Sequence, residues 1–320
     1  MKTELIALDW GTSSLRAYRL GAAAQPIETR SLALGIMQLD GTDTGFEHAL
    51  QQACGDWQEA EPHVPLIACG MIGSKQGWRE AAYVEAPLTV ADLSGALRAV
   101  ERADRMPLWL VPGVIQPGAL PNVMRGEETQ VFGLLEESAH AEDSLLIGLP
   151  GSHSKWLTVE QGQLSRFHTF MTGEVYSALL AHTILGRTAV TGDAFDAQAF
   201  ERGLRVAQSS DGQGGPLSTI FSSRTLVLTG GLSGEAQPDY LSGLLIGHEL
   251  MAMRTLCKVS VDQRIVLIGS GALCSRYLWA LEHCGFESVG FAPQATVTGL
   301  WTIAAGAGLL SVSAGSIAHV

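Results

Sequence analysis

Lysine is almost missing from this chain. Its 320 residues contain four: Lys2, Lys75, Lys155 and Lys258. Charged residues of every kind make up 16%, against about 25% in an average soluble protein. Acids outnumber bases 32 to 20, for a net charge of −12. That balance excludes a general nucleic-acid binder, which needs a basic face. Cysteine is scarce and odd in number (Cys54, Cys69, Cys257, Cys274 and Cys284), with no CxxC pair. Neither a disulfide framework nor a zinc site is signalled, so free thiols in a reducing cytoplasm are expected. No hydrophobic leader forms, because Asp9 interrupts the opening stretch at once. Disorder is excluded by a hydrophobic content of 46%.

Several motifs are also absent. Gly70–Lys75 has the wrong spacing for a Walker A loop, and Gly306-Ala307-Gly308 lacks the third glycine of a dinucleotide fingerprint. His248-Glu249 opens a metalloprotease-like string, but Ala252 stands where its second histidine belongs. No Ser-His-Asp constellation is legible. From Glu287 to Val320 no further charge occurs, yet Gly299, Gly306, Gly308, Gly315 and His319 dilute the run. It reads as a buried small-residue helix over about 299–314, not as the roughly 20-residue apolar segment that spans a membrane.

What is present is a repeat. An apolar strand, ELIALD, runs into Gly11-Thr12-Ser13-Ser14 and out through LRAYRL; another, Leu145–Leu149, runs into Gly151-Ser152-His153-Ser154 and out again. The two turns are 140 residues apart. Two matched strand–turn–strand units suggest a duplicated α/β domain, divided as 1–140 and 141–320. The halves differ electrostatically: residues 1–150 carry 20 acids and 10 bases, residues 151–320 carry 12 and 10. Further expectations are strands over 29–39, 65–69, 108–111, 156–159, 164–170 and 265–268. Helices are expected over 46–57, 90–100, 128–135, 173–185, 240–256 and 272–283, with 208–216 as the clearest loop.

The turn chemistry suits phosphate. Small residues admit close backbone approach, N–H groups point inward and hydroxyls add donors. This picks out Gly11, Thr12 and Ser13 in the first turn and Gly151, Ser152, His153 and Ser154 in the second. Asp9 ends a buried strand, where a bare carboxylate is costly. It either caps the turn or compensates a Mg²⁺ ion.

The two turns and the strand-GSGA-helix segment at 266–281 resemble the sugar kinase, actin and heat-shock-chaperone superfamily. More narrowly, nearly the whole chain resembles the 2-dehydro-3-deoxygalactonokinase family. The segments that carry this are ALDWGTSSLRAYRL (7–20), CGMIGSKQGW (69–78), VMRGEETQVFG (123–133), LPGSHSKW (149–156), FHTFMTGE (167–174) and YLSGLLIGHEL (240–250). The resemblance implies an α/β fold of two ribonuclease-H-like lobes around a nucleotide cleft. The implied reaction transfers the γ-phosphoryl of ATP to the 6-hydroxyl of 2-dehydro-3-deoxy-D-galactonate, in the cytoplasm.

It also implies roles for residues. Glu127 or Glu128, at a helix start, would accept the sugar hydroxyl's proton, with Glu127 favoured because Glu128 reads as an ordinary first-turn residue. Arg125 or Lys75 would meet the substrate carboxylate. Gly73 N–H and Ser74 would read the 2-keto group, and Trp10 and Trp78 would stack on the sugar chain. Lys155 would reach the phosphates, Gly173 would open a helix facing them, and Gly269, Ser270 and Gly271 would lie under the adenosine. ATP would bridge the lobes, with a homodimer compatible. Two other readings stay open: an exopolyphosphatase-like hydrolase and a non-enzymatic ATP-switched binding protein.

Overall fold

The computed structural model describes residues 1–137, 144–190, 192, 194–269, 271–292 and 295–310. Strand β1 (Leu5–Trp10) has the near-continuous burial of a central strand. It pairs antiparallel with β2 (Leu15–Leu20), which pairs antiparallel with β3 (Pro26–Leu32). The expected strand at 29–39 is therefore shifted. The chain instead enters a 3₁₀ turn at Ile36–Gln38.

Helix α1 (Asp43–Ala60) is capped by the Thr42 hydroxyl, which accepts from Gly45 N–H at 3.0 Å. It covers the sheet with Phe46, Leu50 and Trp57. Next come β4 (Leu66–Cys69), β5 (Val84–Glu85), α2 (Val90–Gly95), β6 (Arg98–Val100), β7 (Leu108–Leu110), β8 (Val114–Gln116), β9 (Asn122–Met124) and α3 (Glu127–Glu137). The helix expected over 90–100 stops at Gly95, because Arg98–Val100 is taken as an antiparallel strand by β7. The main sheet has the order β3-β2-β1-β4-β7-β6, and β5, β8 and β9 form a small second sheet.

The pattern then repeats. Strands β10 (Leu145–Leu149), β11 (Ser154–Glu160) and β12 (Gln163–Phe170) form the second meander. Helices α4 (Thr172–His182), α5 (Ala197–Gln208), α6 (Pro216–Thr219), α7 (Ser222–Leu228) and α8 (Gln237–Leu256) follow. Then come β13 (Ile265–Ile268), α9 (Gly271–His283) and β14 (Val289–Ala292), giving the order β12-β11-β10-β13-β14. In each sheet the first strand of the meander, β1 or β10, pairs parallel with a later strand, β4 or β13. This is the duplicated α/β plan expected from the two turns, in the ribonuclease-H-like form the resemblance implies.

Helix α5 was not anticipated, and the expected loop at 208–216 is a 3₁₀ turn (Asp211–Gly214) leading to α6. Both start on local signals: Asp196 caps α5 through Ala199 N–H at 2.9 Å, and Pro216 stands in the first turn of α6.

The chain divides into two compact units. The first holds β1 to α3, residues 160–165 and the last helix, α10 (Ala295–Gly306). The second holds the rest. Helix α10 packs on α3 and α2, and Ser94 donates its hydroxyl to Ile303 C=O at 3.0 Å. It begins earlier than the expected 299–314, whose last four residues lie outside the described ones. Among the described residues no helix is long and apolar enough to cross a membrane.

Candidate active site

The first turn is built by the end of β1. Gly11 N–H donates to Ser14 C=O at 2.9 Å, closing the turn. Its carbonyls are then braced from outside: Ile36 N–H donates to Gly11 C=O at 3.0 Å and Met37 N–H to Thr12 C=O at 3.1 Å. The bracing loop passes so close that a Cβ on Gly35 would lie 2.3 Å from Thr12 O. Thr12 and Ser13 themselves are exposed.

Asp9 is register partner to Cys69 across the parallel β1–β4 pair. Burial pushes its carboxyl pKa up, and Arg16, at 3.4 Å, pulls it only partly back. The Cys69 thiol is held well above its ordinary range by burial, then by the charges of Asp9 and Glu128. Strand ends thus gather Asp9, Cys69 and Glu128 into one electrostatic neighbourhood in the first unit.

The Arg-Gly-Glu-Glu segment turns back on itself where α3 starts. Glu127 accepts from Arg125 N–H at 3.0 Å, and both Glu128 oxygens accept from Gly126 N–H at 2.8 and 2.7 Å. Glu127 is half-buried, whereas Glu128 is 0% exposed. Burial and the neighbouring Glu127 charge push the Glu128 pKa up to about 7.

Arg125 lies over Gly73, where a Cβ would come within 2.9 Å of its Nη1. Its Nη2 donates to Ala81 C=O at 2.8 Å and its guanidinium carbon sits 4.6 Å from the Tyr83 ring centre. Its Nε and Nη1 are buried with no hydrogen-bond partner among the described residues. Two buried, idle donors on a half-buried cation are costly on their own, and charged donors of this kind suit an anion.

Other expected substrate contacts are spent internally. Trp10 is 0% exposed and donates its indole N–H to Leu34 C=O at 2.8 Å. Trp78 stacks on Phe46 with ring centres 5.8 Å apart. Both are core residues, so neither is a platform for sugar. Gly73 N–H already donates to Gly70 C=O at 3.2 Å, so it has no proton for a keto group. Ser74 is buried and its Oγ accepts from Gln76 N–H at 3.3 Å. Lys75 is exposed. A cavity of about 600 Å³ beside Trp78 is lined by charges that pair with each other, Arg79 with Asp43 and Arg102 with Glu47, both at 2.6 Å.

The second turn is braced by a helix. Glu174 N–H donates to Ser152 C=O at 3.0 Å, and a Cβ on Gly173 would lie 2.5 Å from Gly151 O. Only glycine lets the N-terminus of α4 pack directly on this turn. Ser152 and His153 are exposed, and His153 Nε2 contacts the Glu174 carboxylate. Ser154 instead turns inward, to Tyr277 OH at 2.9 Å, so it is no direct phosphate ligand. Lys155 is buried, with Nζ donating to the turn's own His153 C=O at 3.1 Å.

Next to Gly151 and Gly173 lies a cavity of about 270 Å³ in the second unit. Leu245 and Ile246 of α8 and Ala272, Leu273, Arg276 and Tyr277 of α9 line it, with Tyr176. The lining begins at Ala272, beyond Gly269 and Gly271, while Ser270 lies outside the described residues. Sequence reasoning missed Tyr176, Arg276 and Tyr277. They sit at ordinary helix spacing, and the hint for Arg276 and Tyr277 was their place just after the GSGA turn.

A family model for 2-keto-3-deoxy-galactonokinase matches residues 9–303. The chain belongs to this family. As a 2-keto-3-deoxy-galactonokinase family member it is a kinase, a phosphotransferase with an alcohol acceptor. A protein named as a probable 2-dehydro-3-deoxygalactonokinase of Rhizobium meliloti strain 1021 is 36% identical over 283 residues, 88% of this chain and 90% of that one. The 2-dehydro-3-deoxygalactonokinase of Escherichia coli K12 is 33% identical over 292 residues, 90% and 92% of the two chains. A crystal structure from Sinorhizobium meliloti assigned to the same kinase superposes with a TM-score of 0.85 at 34% identity, covering 94% of this chain and 98% of that one. The activator of 2-hydroxyisocaproyl-CoA dehydratase from Clostridium difficile, with bound ADPNP, has a TM-score of 0.50 at 13% identity over 96% of this chain and 95% of its own, and so shares the fold alone.

Proposed function

We propose that this kinase transfers the γ-phosphoryl of ATP to the 6-hydroxyl of 2-dehydro-3-deoxy-D-galactonate. The observation that carries the acceptor side is Arg125. Its buried Nε and Nη1, without partners among the described residues, leave cationic donors free for an anion, and Nη1 fits one oxygen of the C1 carboxylate of a sugar acid. Lys75 is exposed and offers only a hydrated point charge, so Arg125 is the better carboxylate partner.

Glu127 is then the base. It is the half-buried member of the pair, while Glu128 is sealed in with both oxygens on Gly126 N–H. Glu127 orients the sugar hydroxyl and takes its proton as the phosphoryl arrives. Phosphoryl transfer is loose, so placement matters more than basicity. The second turn and the N-terminus of α4 offer N–H groups to phosphate oxygens, and the adjoining 270 Å³ cavity takes the adenosine against its apolar α8 and α9 walls.

Asp9 fits a divalent cation, since the exposed Arg16 at 3.4 Å compensates its buried carboxyl only in part. Mg²⁺ carried on nucleotide phosphates needs only one or two carboxylates, so Asp9 with Thr12 and Ser13 suffices to hold it. When bound, the ion neutralises charge on the transferred phosphoryl. The five unpaired cysteines agree with a cytoplasmic setting.

The test is ADP release coupled to a recorder reaction, over a panel of 2-keto-3-deoxy sugar acids, plain hexoses and no acceptor. Turnover is expected with the galactonate-derived acid. Turnover on hexoses without it would overturn the substrate, and phosphate release without any acceptor would favour a hydrolase.

A further inference from the structure

Glu249 lies on α8, 3% exposed, and none of the roles above uses it. One carboxylate oxygen accepts from the Trp156 indole N–H at 2.7 Å and the other from Tyr277 OH at 2.7 Å. The hydroxyls of Thr172, in the first turn of α4, and of Ser154 also stabilise this carboxylate. The pairs are short, as expected of charge-assisted bonds. Burial raises the Glu249 pKa while these donors oppose the rise.

Proton counting fixes the direction of the network. Tyr277 has one hydroxyl proton, which goes to Glu249. The phenol oxygen, 2.9 Å from Ser154 Oγ, can then only accept. Any proton shared between those two oxygens therefore comes from Ser154, whose hydroxyl also has Gly151 C=O at 3.4 Å and the Glu249 carboxylate as acceptors. One carboxylate thus holds the indole of Trp156 and the phenol of α9 directly, with the hydroxyls of Ser154 and Thr172 beside it. Thr172 and Tyr277 line the cavity beside the 151–154 turn, and Ser154 belongs to the turn itself.

We infer that Glu249 is a positioning residue for nucleotide binding: through Tyr277, Ser154 and Thr172 it presets the second turn and the α4 N-terminus for phosphate. It touches no substrate itself. Its cost as a buried carboxylate has no return in core packing alone, since an apolar side chain of similar size packs without leaving acceptors to satisfy. The inference rests on the reading of the 151–154 turn as the phosphate site.

The experiment separates the two. The parent reading is checked with Gly173→Ala, which pushes a methyl group into the turn and should weaken Mg-ADP binding at least tenfold by calorimetry. An unchanged affinity there would sink the phosphate-turn reading itself. The positioning role is checked with Tyr277→Phe and Glu249→Gln by steady-state kinetics. Each should raise KM for ATP about tenfold or more, with KM for the sugar acid and kcat within about twofold. Tyr277→Phe keeps the ring and its packing, so it decides the matter if Glu249→Gln folds poorly. KM for ATP within twofold of wild type in Tyr277→Phe, whatever happens to Tm, would overturn the inference.

Discussion

At the residue scale, the site of the first unit is made of groups the fold does not satisfy. Arg125 keeps two buried donors without partners among the described residues, each worth about 1–3 kcal/mol in lost solvation. Arg125→Met should therefore leave Tm unchanged or slightly raised, while KM for the sugar acid rises at least a hundredfold. A thermal scan beside a kinetic titration checks both halves, and a large loss of Tm would show that the guanidinium serves packing. The two glutamates should separate in the same way. Glu127→Gln is expected to lower kcat by about 10²–10⁴-fold. Glu128, pushed up to about 7, should instead mark stability. Its folded pKa lies above the unfolded carboxyl value, so the folded state holds the proton more tightly. Stability then falls as pH rises from about 4 to 7 and levels off beyond, by roughly 3 kcal/mol in all. Urea melts of wild type and Glu128→Gln from pH 4 to 8 check this, because the substitution should remove that part of the slope.

At the element scale, the glutamate pair is held by how α3 meets α10. A Cβ on Gly133 would lie 1.9 Å from Ala295 O, and one on Gly299 would lie 1.8 Å from Thr129 O. Two backbones touch here, each through the other's glycine. No side-chain rotation relieves such a clash, so the helices must separate. Gly299→Ala should cost about 2 kcal/mol or more and move the first turn of α3, which carries Glu128 and Thr129. We expect a lower Tm together with a several-fold loss of kcat. A variant with lower Tm and full kcat would mean that α10 merely covers the unit. The same packing explains the lack of charge within α10: a helix so tightly seated on α3 has no room for long charged side chains along that contact.

At the scale of the whole molecule, charge works against the substrate. Residues 1–150 hold 20 acids and 10 bases, yet the proposed acceptor is an anion. The average field is long-ranged and is screened at modest ionic strength, whereas a buried contact to Arg125 is screened far less. KM for the sugar acid should therefore fall as NaCl rises from about 10 to 150 mM at saturating ATP. A KM that climbs steadily over that range would place the recognition in exposed cations such as Lys75 instead.

Much of this was legible before any coordinates. The spacing of two Gly/Ser/Thr turns after apolar strands announced the duplication, because each turn needs small residues for its bracing element to reach it. Adjacent glutamates before an apolar-periodic run marked the start of α3, because a carboxylate there can satisfy the N–H groups a helix leaves open. What the linear order could not decide is which polar groups find partners across the fold. Trp10 and Trp78 looked like platforms until the sheet and α1 enclosed them. Gly73 looked like a donor until a 3₁₀ turn used its N–H. Glu127 and Glu128 differ in burial only because α3 is pressed down along one side. Glu249, Trp156, Tyr277 and Ser154 stand up to 123 residues apart and share protons only once α8, β11 and α9 meet. Local chemistry alone determined the turns, the helix start and the family. Burial and partner choice belong to tertiary packing, since a hydrogen bond between distant residues has no signature in either residue's neighbourhood.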